Sequence, residues 1–128
     1  MKFYIASSLI NKENVRYISN RLIKQGHTLT YDWTVNERAS TIEELQLIGQ
    51  KEKDAVIEAD FLVVLLPGGK GSHIEMGMAL SHSKGVFLYS PDESINNPDT
   101  TSTFYHLPEV KKCFGTLDEL VETVVANI

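Results

Sequence analysis

Residues 60–83 read DFLVVLLPGGKGSHIEMGMALSHS, and three segments follow one another within them. Phe61 to Leu66 is an unbroken apolar run containing two valines. That pattern suits a strand buried on both faces of a parallel sheet. Pro67-Gly68-Gly69-Lys70-Gly71 can neither extend the strand nor open a helix, so a tight loop is expected there. Ser72 then opens a helix, with Glu75 three residues on in the S-x-x-E relation of a capping box. Ligands of open α/β sheets bind beyond the carboxyl ends of the strands, where such a loop sits. The unpaired N–H groups of a helix start favour an anion. Chemistry is therefore expected between Gly68 and Gly77.

The rest of the chain repeats the alternation. Phe3 to Ala6 reads as a short strand ending at Ser7-Ser8. Asn11 is an N-cap for a helix in which Val15, Ile18, Leu22 and Ile23 recur at helical spacing, and Gly26 stops it. Thr28 to Tyr31 is a second strand, and Asp32 to Ser40 is polar, irregular and carries the only tryptophan, Trp33. Thr41 with Glu44 is a second capping box, opening a helix through Leu45, Ile48 and Val56 to Ala59. Gly85 to Tyr89 is a fourth strand, followed by a long polar loop from Ser90 to Ser102. A short fifth strand is expected near Phe104-Tyr105 or Cys113-Phe114. Thr116 with Glu119 caps a last helix through Leu120, Val121, Val124 and Val125. Such alternation predicts an α/β three-layer sandwich with a central parallel five-stranded sheet, flavodoxin-like or Rossmann-like.

Composition bounds the function. A chain of 128 residues is expected to form one domain, 1–128. The net charge of -5 argues against non-specific nucleic-acid binding, which needs a basic stripe. The single cysteine, Cys113, cannot form an internal disulfide and points to a reducing compartment, hence a cytoplasmic setting. The start has no signal-peptide shape, and no window approaches the roughly 20 apolar residues of a membrane span. The partner expected is a small molecule, with neither nucleic acid nor membrane.

Glu75 has two readings. As a capping-box residue it reaches back to the Ser72 N–H, as Glu44 and Glu119 do at their own boxes. Its place distinguishes it: only the Ser72 box follows a glycine loop at the end of the most buried strand. Gly77 and Ala79 are small enough to let this helix lie close to the sheet. A carboxylate at a helix N-terminus is expected to stay ionised. An ionised, positioned carboxylate is what a nucleophile at an anomeric carbon must be.

Tyr4-Ile5-Ala6-Ser7-Ser8, Ala59-Asp60 before the buried strand, and Gly71-Ser72-His73-Ile74-Glu75-Met76-Gly77-Met78-Ala79-Leu80 together resemble the nucleoside 2-deoxyribosyltransferase family. Its relatives include the 2'-deoxynucleoside 5'-monophosphate N-glycosidases, and the resemblance runs over nearly the full length. It implies a Rossmann-like sandwich in which Glu75 is the nucleophile and Tyr4 holds that glutamate and the sugar. It implies a homo-oligomer whose active sites are completed by a neighbouring subunit. The family usually carries an aspartate eight residues before Asp60, which contacts the base and assists proton transfer. Glu52 stands there, with Asp54 two residues on. The neighbour's residue, an asparagine or serine after the fourth strand, has no unique match; Asn96, Asn97, Thr101 and Ser102 are candidates, and Asn97 is counted among the expected binding residues.

Candidate binding residues complete the reading. Ser7 and Ser8 end the first strand, and Gly68, Gly69, Lys70, Gly71 and Ser72 form the loop. Lys70 reads equally as a 5'-phosphate ligand beside the loop N–H groups or as a solvated lysine. Trp33 reads as a stacking platform for a base or as a core or interface aromatic. The histidines show no metal-ligand spacing, so no metal is expected, and no cofactor is implied. The sequence thus predicts an N-glycosidic-bond enzyme acting on a nucleoside or nucleotide, as transferase or hydrolase. The competing class is a non-catalytic nucleotide-binding or signalling module on the same fold.

Overall fold

The computed structural model describes all residues, 1–128. Five strands form one parallel sheet: β1 (Lys2–Ala6), β2 (Thr28–Leu29), β3 (Phe61–Leu65), β4 (Gly85–Tyr89) and β5 (Val110–Cys113). Their order is β2-β1-β3-β4-β5, the flavodoxin-like arrangement. Four helices join and cover them: α1 (Lys12–Lys24), α2 (Ile42–Glu58), α3 (Lys70–Ser81) and α4 (Leu117–Ala126). α1 packs beside α4, and α2 beside α3. The chain steps one way from β1 to β2 and the other way from β2 to β3. Right-handed crossovers therefore put α1 and α2 on opposite faces.

β3 is the central strand, and all five of its residues are buried. Burying side chains of this size contributes roughly 1.5–3 kcal/mol each, which makes β3 the main apolar anchor of the sheet. Phe3 pairs with Phe61 and stacks on it at 6.0 Å between ring centroids, on the face opposite Tyr4. No helix is long and apolar enough to cross a membrane.

Several boundaries differ from the expectations. β2 is shorter, because Asp32 accepts from the Thr34 N–H and starts a 3-10 turn at Trp33–Val35. The fifth strand is Val110–Cys113; Phe104-Tyr105 lie instead in a 3-10 turn, Thr103–His106, in which Ser102 Oγ accepts from the Phe104 N–H. α3 begins at Lys70, two residues before Ser72. Gly69 is its N-cap, and Ser72 Oγ accepts from the Gly69 N–H at 2.7 Å. Glycine is tolerated at an N-cap, so the loop folds into the helix start rather than preceding it. Gly68 lies against this cap: a Cβ there would come within 2.8 Å of Ser72 Oγ. The Thr116 box has both its bonds, whereas Glu44 caps Ser40 rather than Thr41.

Candidate active site

β1 and β3 are neighbours whose outgoing connections run in opposite directions, so the crevice at their carboxyl ends is the switch point of the sheet. Tyr4 lies on the β1 face covered by α2 and α3, and is fully buried. Its hydroxyl lies 2.6 Å from a carboxylate oxygen of Glu75 on α3 and 3.4 Å from one of Glu52 on α2. Three elements thus bring one phenol and two carboxyl groups together.

The shift of the helix start changes what Glu75 does. It lies in the second turn of α3, makes no capping bond to Ser72, and points inward with 7% exposure. The small-residue expectation holds at Ala79, which is buried, but Gly77 faces outward with open space around it.

The expected permanently ionised carboxylate is not what this setting produces. Burial pushes the Glu75 carboxyl up to about 8, against the pull of the Tyr4 hydrogen bond and with a further push from the Glu52 charge. Burial also raises Glu52, opposed by hydrogen bonds from Glu75 and Tyr4. Two carboxyls this close do not both ionise readily, so the pair holds one proton near neutral pH, resting on Glu75. The Tyr4 phenol is raised far above its usual value, first by burial and then by the Glu75 charge, and remains a donor.

A cavity of about 800 Å³ opens over this group. Of the residues expected to bind or react, Ser7, Ser8, Trp33, Gly69, Gly71 and Ser72 line it with Glu52 and Glu75. The serines staple the strand ends: Ser7 Oγ donates to Leu65 O at 2.8 Å and Ser8 Oγ to Pro67 O at 3.0 Å. Trp33 presents part of its ring to the cavity while its Nε1–H donates to Ile5 O at 2.7 Å, which ties it to the core beside Tyr4.

Four of the named residues lie elsewhere. Asp54 is exposed on α2 and accepts from Gln50 at 2.9 Å; two residues along a helix turn it away from the side Glu52 faces. Lys70 is exposed and outside the cavity, and Gly68 faces the other side of the loop. Asn97 is exposed in the segment after β4, its side chain accepting from the Asp99 N–H. The cavity also contains Lys12, Arg38, Leu45 and Ile48, none of which the sequence marks as a binding residue. Lys12 follows the Asn11 cap, and Leu45 and Ile48 belong to the apolar pattern of α2; Arg38 stands near no signal.

No family model and no curated protein matches the chain. Solved structures do. A CMP N-glycosidase from Clostridium botulinum, BcmB, superposes with a TM-score of 0.64 at 16% identity, covering 98% of this chain and 99% of that one. A conserved protein from Enterococcus faecalis V583 superposes with a TM-score of 0.64 at 17% identity, covering 100% of this chain and 99% of that one. At these identities the likeness is one of fold, and it extends over nearly the whole length of all three chains.

Proposed function

We propose that this protein breaks the N-glycosidic bond of a nucleoside 5'-monophosphate or nucleoside, with Glu75 as nucleophile. The observation that carries the reading is the Tyr4-bridged pair of Glu75 and Glu52 at the switch point, inside a cavity large enough for a nucleotide. The one proton held by the pair suits the chemistry. When it moves to Glu52, Glu75 becomes the nucleophile and Glu52 the acid. The Glu75 oxygen bonds to C1' as the C1'–N bond breaks, and the Glu52 proton passes to the departing base. Water, or the nitrogen of a second base, then attacks C1' and returns a proton to Glu52 as the ester to Glu75 breaks. This is the two-step logic of retaining glycosidases applied to a C–N bond. Tyr4 keeps the Glu75 oxygen aimed throughout.

The cationic side chains of Lys12 and Arg38, with the helix-start N–H groups of Gly71 and Ser72, favour a substrate carrying a 5'-phosphate. The fold neighbour described as a CMP N-glycosidase supports the same substrate class. Asn97 lies outside its own chain's cavity, so a part in binding would be played in a neighbouring copy; sedimentation as a monomer at micromolar concentration would remove that role. The test of the function is incubation with a panel of nucleosides and their monophosphates, reading free base by chromatography. Base released from at least one monophosphate is expected. No base from any member, beside saturable binding of the same compounds, would favour a non-catalytic module.

A further inference from the structure

A second cavity, of about 320 Å³, lies on the other side of the Pro67–Ser72 loop, at the carboxyl ends of β3 and β4. Ser90 is its most telling residue. It is 2% exposed, and its N–H is held by Cys113 O at 3.0 Å. Its hydroxyl has no hydrogen-bond partner in the chain, and it is open to this cavity rather than sealed off. A hydroxyl so placed takes its hydrogen bonds from whatever occupies the cavity, water or a ligand.

The lining defines the ligand. Leu66, Pro67, Pro91 and Ile95 supply apolar surface suited to a flat ring. Asp92 lines the cavity with one carboxylate oxygen accepting from the Ser94 N–H at 2.9 Å and the other unpaired. The bonds from Ser94 hold Asp92 below the usual carboxylate range, so it is an acceptor only. His73 is the one residue there that could carry positive charge. Its Nδ1 lies 2.8 Å from Gly69 O and its Nε2 2.6 Å from the Tyr105 hydroxyl, so neither nitrogen is free. Both ring nitrogens of His73 are thus engaged away from an incoming anion, whereas Asp92 offers an N–H donor a charged acceptor.

We propose that this cavity binds a neutral planar heterocycle presenting an N–H donor beside an acceptor, the edge of a free nucleobase. The N–H donates to Asp92, and the adjacent acceptor receives the Ser90 hydroxyl. Its relation to turnover rests on the proposed function: such a ring is what the Glu75 reaction releases, and one loop walls both cavities.

The test is a titration of the isotope-labelled full chain, followed by backbone amide shifts, with cytosine, adenine, 1,3-dimethyluracil and inorganic phosphate added separately. Cytosine or adenine should give saturable shifts at Ser90, Asp92 and Ser94. 1,3-Dimethyluracil, which keeps the carbonyl acceptors but has no N–H donor, should bind about tenfold more weakly, and phosphate should not move these amides. Asp92→Asn keeps the acceptor used by Ser94 and should weaken binding about tenfold; Ser90→Ala should weaken it as well. Shifts centred on Gly69, Gly71 and Glu75 instead, 1,3-dimethyluracil binding equal to cytosine, an unaffected Asp92→Asn, or no saturation with either cytosine or adenine would each overturn the proposal. Binding is read without turnover. A chain that releases base but shows no such shifts loses this site alone, and one that shows them but releases no base loses the proposed function alone.

Discussion

The Tyr4 hydroxyl on β1 and the Glu75 carboxyl on α3 meet at 2.6 Å although 71 positions separate them in sequence. Tyr4→Phe keeps the buried ring and removes only this bond. A hydrogen bond to a charged group is worth about 1.5–3 kcal/mol, so base release should fall about 10- to 100-fold. The loss should appear mainly in kcat, because the bond aims the nucleophile rather than holding the substrate. Steady-state kinetics check this; a variant with unchanged kcat would mean that Tyr4 only fills space.

The shared proton predicts a bell-shaped pH dependence. Activity needs one proton on the pair, so it should rise as the first carboxyl ionises and fall as the second loses its proton near pH 8. Glu52→Gln removes the acid and also the neighbouring charge that helps raise Glu75. The variant should be slow, and its alkaline fall should vanish. Profiles of kcat/KM for both proteins decide it; an alkaline limb that persists unchanged in Glu52→Gln contradicts the pair.

Stability carries the same signature with a definite sign. The folded-state carboxyl of Glu75 is raised above its unfolded value, so the stability it contributes is complete below about pH 4.3 and is lost as pH rises towards 8. The burden at the alkaline end is on the order of a few kcal/mol. Glu75→Gln is neutral at every pH and escapes it. Its melting temperature relative to the wild type should therefore climb between pH 5 and pH 8. A difference that stays flat across that range would show that Glu75 ionises as easily folded as unfolded.

Lys12 and Lys70 should separate cleanly. Lys12 lines the cavity and Lys70 does not. Lys12→Ala should weaken monophosphate binding about tenfold relative to the nucleoside, the worth of one charge-assisted bond. Lys70→Ala should leave the ratio within about twofold. Calorimetric titration of both variants with one nucleoside and its monophosphate tests this, and the reverse pattern would move the phosphate to the outer side of the loop.

What the sequence made legible follows from what is local. Phe61 to Leu65 announces a doubly buried strand because every residue is apolar, and the alternation of strand and helix then leaves few topologies. The start of α3 is not legible because Ser72 and Glu75 match the capping-box pattern, whereas Gly69, the true N-cap, has no side chain to announce itself and is revealed only by the backbone. The consequence was chemical: a residue expected at a solvated helix start lies one turn deeper, where burial shifts its proton. Glu52 and Asp54 were equivalent as letters, and the direction of α2 over the sheet separates them. Arg38 carries no pattern of its own, since it reaches the cavity only through the path of the chain between β2 and α2, and the helical spacing of Leu45 and Ile48 marks α2 without saying that they face a cavity.

The most direct test of the account is base release by Glu75→Gln beside the wild type, with Glu44→Gln and Glu119→Gln as controls at two helix starts. All four proteins should remain folded, and the two controls should release base at the wild-type rate. Glu75→Gln should release none, because an amide cannot form the glycosyl ester. Wild type quenched during turnover should also gain the mass of the sugar moiety on the peptide containing Glu75. Base release by Glu75→Gln at the wild-type rate would contradict the assignment of Glu75 as nucleophile.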